Sequence, residues 1–279
     1  MITEVEVFKR GSTTYYWSSR FFPKKTRQDV FKLYSFVRVA DDFVDSSPQQ
    51  IEQLNELEKT WKKIVKKQRV PKKTDELVHR VANNMYEVAM KYDFDLAWVD
   101  AFFQSMHMDI DKKSYKTMDD TLKYIYGSAE VIGLMMAKII GVKPDAYEYA
   151  KLQGRAMQYI NFIRDIGEDI ELGRCYFPKS ELAAYGLESL TTRIIMRHRA
   201  DYREFIEAQL AYYQQWQLEA NKGFKAIPRR QRIALRTAVD MYNWTALKLA
   251  DDPFVVFDKK VKPSKFRVVA RAVVRSISA

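Results

Sequence analysis

The chain is poor in the residues that staple a fold. Among its 279 residues there is one cysteine, Cys175, which excludes an internal disulfide and fits a reducing, cytoplasmic compartment. Three histidines are present, and none has a second His or Cys at metal-ligand spacing, so a zinc centre is not expected. Nine glycines and eight prolines leave long segments free of both, which favours helices over turn-rich strands. The most apolar run, Val131 to Val142, is too short to span a bilayer and contains Lys138. The start, Met1 to Glu6, is acidic and lacks a long apolar run, and we read it as no signal peptide. Gly-rich dinucleotide fingerprints, helix-turn-helix signals and RNA-recognition motifs are lacking too. The net charge of +11 therefore points to an anionic substrate or an anionic membrane, and nucleic acid is not expected as a partner. With no repeat, low-complexity stretch or linker, residues 1–279 read as a single domain.

What is present is apolar and helical. Hydrophobic residues make up 47% and aromatics 14%, enough for a substantial core. Residues 1–11 read as a lead-in. In Gly11-Ser12-Thr13-Thr14-Tyr15-Tyr16-Trp17, hydroxyls stand beside aromatics; they suit phosphate oxygens, or a helix cap and an aromatic cluster. Thr26 is a candidate N-cap for a helix running to Asp45, stopped by Ser46-Ser47-Pro48. Amphipathic helices are predicted over 49–69, from Thr74 to Ala89, and over 96–108. Thr117 caps the next, with Asp119 and Asp120 at its positive end. Gly127 and Gly133 within it cost roughly 1 kcal/mol each relative to Ala, which suggests a kink, or close approach to a ligand or another helix. Glu130 beside them is an acid in apolar sequence, suited to an Arg partner or to a polar site. One long helix is expected from Asp145 to Leu172, ended by Gly173, and two more over 189–224 and 227–250. The tail, 262–279, has five basic and no acidic residues. Phe266, Val269, Ala270, Val273 and Ile277 recur at helical spacing along it. Two readings stand side by side: a helix packed on the domain, and a peripheral contact with the inner face of an anionic membrane.

Two stretches carry chemistry. Asp165 and Asp169 are four apart, which on a helix stacks two carboxylates about 5–6 Å apart at Cβ. Asn161 lies one turn earlier and Arg164, a fork-shaped phosphate binder, is next to the acids. Far upstream, Asp41 and Asp45 repeat the pair, with Arg38 just before them. One such turn reads as a solvated helix face. Two, each with an arginine and each in apolar sequence, suit Mg²⁺, which takes oxygen ligands and shares its shell with phosphates. Arg174 and Tyr176, past the second pair, are placed to close over a diphosphate.

Arg38-x-x-Asp41-Asp42-x-x-Asp45, Tyr126-Gly127-Ser128-Ala129, Gln158-x-x-Asn161-x-x-Arg164-Asp165-x-x-Glu168-Asp169 and Gly173-Arg174-x-Tyr176-Phe177-Pro178 together resemble the squalene/phytoene synthases, from about Ser12 to Lys262. The resemblance implies an all-α, single-domain isoprenoid-synthase bundle around a central apolar cavity, and Mg²⁺-dependent head-to-head condensation of two prenyl diphosphates, with Mn²⁺ as a substitute. Residue by residue it implies metal ligation by Asp41, Asp45, Asn161, Asp165 and Asp169. Diphosphate would be held by Arg38, Arg164, Arg174, Ser12, Thr14 and Tyr176, and Tyr34, Tyr126 and Tyr242 would stand near the reacting carbons. It departs at Glu130, where many members have Gly or Pro, and at Pro253, where some have Arg, which puts phosphate contacts from that end in doubt. The form of the motifs favours two C20 substrates and phytoene, reached by proton loss without NADPH. The alternatives are squalene or dehydrosqualene synthesis from two farnesyl diphosphates, and a non-catalytic relative acting as an assembly factor.

Overall fold

The computed structural model describes residues 13–277. Helices follow one another almost without interruption: α1 (Thr13–Ser19), α2 (Lys24–Asp45), α3 (Ile51–Val65), α4 (Glu76–Lys91), α5 (Leu96–Asp111), α6 (Met118–Ile125), α7 (Val131–Ile140), α8 (Tyr147–Arg164), α9 (Ile166–Glu171), α10 (Lys179–Ala184), α11 (Thr192–Arg197), α12 (Arg199–Asn221), α13 (Arg229–Asp251) and α14 (Lys265–Ile277). The all-α expectation stands, with one small addition. Two short strands, β1 (Ser114–Tyr115) and β2 (Cys175–Pro178), pair in parallel and tie the exit of α9 to the region between α5 and α6.

Local signals explain several helix starts. Thr117 accepts from the amide of Asp120, whose carboxylate reaches back to the Thr117 amide, a reciprocal cap. Asp75, rather than Thr74, caps α4 by accepting from the Val78 amide at 3.0 Å. Thr26 caps nothing: α2 begins two residues earlier, behind Pro23, whose fixed φ suits a helix start.

The helix α8 is the central post. Ala156, Tyr159, Ile160 and Ile163 are fully buried on one side of it, and α12 packs along its length. Its other side, Ala150, Gln153, Gly154, Met157, Gln158 and Asn161, faces a cavity. The same division shapes α2. Phe36, Val39, Ala40 and Val44 enter the core, while Tyr34, Val37, Arg38 and Asp41 face the cavity.

Three predicted helices are broken. The helix expected after Thr117, through Gly127 and Gly133, passes through a π turn at Tyr126–Glu130. Gly127 and Gly133 serve helix crossings, since a Cβ would meet the Ala101 carbonyl at 2.1 Å and the Ala150 carbonyl at 2.3 Å. The run from 189 to 224 is two helices, because His198 leaves helical dihedrals (φ −119°, ψ 46°). The run from 145 to 172 is interrupted at Asp165 (φ −101°, ψ 12°), although the Asp165 and Asp169 amides still bond four residues back. That interruption lies in the second acidic turn.

Candidate active site

The cavity encloses about 300 Å³. Its walls come mainly from α1, α2, α7, α8 and α13, with Phe102 and Met106 of α5, and they are predominantly apolar, while Arg38, Asp41, Gln158 and Asn161 reach it at one end. Along α8 the lining runs from Tyr149 to Asn161, about 18 Å of helix at the usual rise per residue. Opposite Tyr149, Gly223 and Phe224 close the apolar end.

The two acidic turns meet at the polar end. Arg174, only 4% exposed, follows the second turn and donates to Asp45 of the first at 2.6 Å and to the Val44 carbonyl. Each other arginine grips its own turn. Arg38 pairs with Asp41 at 2.9 Å and with Asp42, and Arg164 forks onto Asp165 at 2.8 and 2.5 Å. Electrostatics show the same convergence. Burial, then the charge of Asp45, pushes the Asp41 carboxyl up to about 7, against the pull of Arg38. Asp169 is pushed well above the carboxylate range by burial and then by Asp165 and Asp45. Burial would also raise Asp165, but Arg164 and Lys260 outweigh it and hold this carboxyl below its ordinary value.

Not every expected residue arrives. Tyr34 lines the cavity, and Tyr242 is buried behind Tyr15, their rings 5.9 Å apart. Tyr126 does not join them: it is 39% exposed and outside the lining. Tyr124, just before the π turn, and Ser128 and Ala129 within it face inward instead. Tyr176 stacks on Phe162 with ring centroids 4.3 Å apart and donates to Asp109 at 2.7 Å, so it stands behind Arg174 rather than in the cavity. Thr14 is half-buried and outside the lining; the cavity face of α1 is Tyr15, Ser18 and Ser19. Ser12 lies outside the described residues.

Sequence reasoning missed three residues. Asp109 is buried and accepts from both Tyr124 (2.8 Å) and Tyr176 (2.7 Å). Burial pushes it up to about 6, with Arg174 and the two phenols pulling the other way. It sits in an unremarkable amphipathic helix, and nothing in its spacing marks it. Tyr124 precedes the π turn, near the end of α6, and its partner Asp109 lies on another helix. Lys260 reaches Asp165 at 3.1 Å and also pairs with Glu168. It supplies a cation from the segment that follows α13. Pro253 begins a turn whose Val256 carbonyl comes so close to Gly167 that a Cβ there would lie 2.6 Å away, which brings the following lysines to the site. Glu130, 2% exposed, pairs with Arg155 at 2.7 Å and so takes the arginine alternative.

Among the described residues no three His, Cys, Asp or Glu side chains are placed to hold one ion together. The ion pairs give the reason: Asp41, Asp45 and Asp165 are each turned onto a protein cation. The donor set still fits a hard divalent cation. It is all oxygen, its carboxylates raise one another's pKa, and the Asn161 Oδ1 is buried at the cavity with no hydrogen-bond partner.

A sequence model of the squalene/phytoene synthase family matches residues 8–267. The chain is 33% identical over 248 residues to a 15-cis-phytoene synthase of Enterobacter agglomerans, covering 86% of this chain and 82% of that protein. It is 31% identical over 253 residues to the 15-cis-phytoene synthase of Pantoea ananas, covering 88% and 81%. In fold it resembles a dehydrosqualene synthase solved in complex with ligand, with a TM-score of 0.78 at 24% identity, over 99% of this chain and 94% of the other.

Proposed function

The chain belongs to the squalene/phytoene synthase family, whose members act on prenyl diphosphates, and we propose that it condenses two geranylgeranyl diphosphates head to head into phytoene. The observation that carries this is Arg174 bonded to Asp45, which joins two arginine-flanked acidic turns at one end of an apolar cavity. The 18 Å of α8 along that cavity, about the length of an extended C20 chain, supports the longer substrate. So do the relatives, both named as phytoene synthases.

Asp41, Asp45, Asn161, Asp165 and Asp169 would hold Mg²⁺, or Mn²⁺ in its place, which neutralises the charge that develops on a departing diphosphate. Arg38, Arg164, Arg174 and Lys260 already stand beside these carboxylates. On substrate binding they exchange carboxylate oxygens for phosphate oxygens, a swap between two charge-assisted partners of similar strength. Tyr15 and Tyr34 line the cavity next to this end, where their π faces stabilise an allylic cation. The apolar walls keep water from that cation, so the double bond of the second chain captures it. A cyclopropyl diphosphate, a second ionisation and loss of a proton complete the sequence without NADPH. Because prenyl diphosphates are lipids, the basic tail fits an enzyme that works against an anionic membrane.

Incubation with labelled geranylgeranyl or farnesyl diphosphate, with and without Mg²⁺ and NADPH, tests the reading. A C40 product that needs Mg²⁺ and not NADPH is expected. C30 product alone would replace it with squalene or dehydrosqualene synthesis, and no product from either substrate would leave the assembly-factor alternative.

A further inference from the structure

The tail helix α14 has two apolar faces, and only one is used. Val268 and Ala272 are fully buried, and the helix packs on α1 and α13. Polar contacts lock this face. Arg271 and Arg275 both bond Asp240, each at 2.7 Å through Nε. Lys265 lies over the Trp17 ring at 4.1 Å and Arg267 over Trp244 at 4.8 Å. The two expectations for the tail are therefore compatible: it packs on the domain, and it still has a face to offer.

Phe266, Ala270, Val273 and Ile277 are spaced four, three and four residues apart, which puts them in one stripe along the helix, roughly opposite the docked face. Phe266 and Ile277 are each 82% exposed and Val273 is 50% exposed. The charges beside the stripe have one sign. No acidic residue follows Asp258, and Lys259, Lys262, Lys265 and Arg267 are all exposed.

We propose that this stripe is a lipid-facing surface, which lays α14 in the headgroup region of an anionic bilayer with Phe266, Val273 and Ile277 inserted. The proposal deepens the reading above by giving the membrane contact its residues and orientation. A second protein chain would need acids to meet the lysines, whereas an anionic bilayer offers negative charge and hydrocarbon together. Arg and Lys stems lie along the apolar boundary while their heads stay wet. With three inserted side chains, binding is reversible. The contacts of α14 with α1 and α13, both of which line the cavity, place the cavity walls directly behind the membrane face.

The test uses the full chain with vesicles of phosphatidylcholine alone and of phosphatidylcholine mixed with phosphatidylglycerol, read by co-sedimentation. Binding to the anionic vesicles is expected, weakened by salt and weak on phosphatidylcholine. Phe266→Asp combined with Ile277→Asp should weaken it by roughly tenfold or more, with turnover of detergent-dispersed substrate unchanged. Because both residues are exposed, helical content and melting should stay the same, which separates lost binding from lost folding. No binding by the unaltered chain, equal binding by the variant, or a dimer that the double substitution makes monomeric would each overturn the proposal. Vesicle binding is read without catalysis, so its failure is distinct from failure of the proposed reaction.

Discussion

Asp41 and Asp45 lie in the last turns of an unbroken helix, whereas helical dihedrals fail at Asp165 itself and Asp169 lies in the next helix. Both pairs have the same spacing and an arginine nearby, yet their electrostatics differ. In the first turn Arg38 divides itself between Asp41 and Asp42, and Asp41 remains raised by burial and then by Asp45. In the second, Arg164 gives its whole fork to Asp165, and Lys260 adds a second cation. Asp165 is held low, and Asp169 is left among the other carboxylates and pushed high. Which carboxyl is held low and which is pushed up depends on burial and on where the cations reach it, and spacing alone does not decide that.

The largest expected effects test what the two turns share. Asp41→Ala or Asp165→Ala should each lower turnover by roughly a thousandfold or more while circular dichroism stays helical, and chelation should abolish turnover until Mg²⁺ or Mn²⁺ is restored. Full activity in either variant would refute metal binding by that turn. Next is the link between the turns. Arg174→Ala leaves Asp45 and Asp109 without their shared cation, and a loss of about 1–3 kcal/mol in denaturant unfolding is expected alongside lost activity. An unchanged midpoint would mean the turns meet without it.

A smaller effect sharpens the difference between the pairs. Lys260→Ala should reduce kcat/KM on the order of tenfold, with Lys260→Arg close to the unaltered chain, because the lysine acts on one turn only. Equal loss in both variants would point to geometry instead of charge. Smaller again is the contrast across the π turn. Tyr124→Phe removes a bond to buried Asp109 and should cost about 1 kcal/mol of stability, while Tyr126→Phe at the surface should change neither stability nor rate.

Asp240 is the control for both turns, since it has two arginines. Burial works against its ionised form, but Arg275 and Arg271 more than offset it, and its pKa is lowered. A lowered folded pKa contributes stability above the unfolded value, about 4, and that contribution fades as pH falls through the folded value. The stability gap between the unaltered chain and Asp240→Asn should therefore be open at pH 7 and close in acid. A gap independent of pH would remove the ion pairs from the account of how α14 docks.

Much of this was legible in the chain. The period of Val30, Leu33, Val37 and their successors marks helices, and the cap at Thr117 shows in the chain, though its reciprocal bond from Asp120 does not. The acidic pairs, their arginines and Asn161 could be picked out because oxygen ligands at helical spacing have few other uses. Tyr126 was misplaced because a π turn depends on how Gly127 crosses Ala101, a contact between distant segments. Asp109 and Lys260 were invisible for the same reason: each acquires its partners from helices far away in sequence.

Composition and periodicity alone determined an all-α chain with two acid-bearing turns, because hydrophobic period and residue chemistry are local properties. The break at Asp165, the meeting of Arg174 with Asp45, the opposite pKa shifts of Asp165 and Asp169 and the free face of α14 were decided only by the tertiary structure. Each depends on distance across the core and on burial, and a one-dimensional pattern specifies neither.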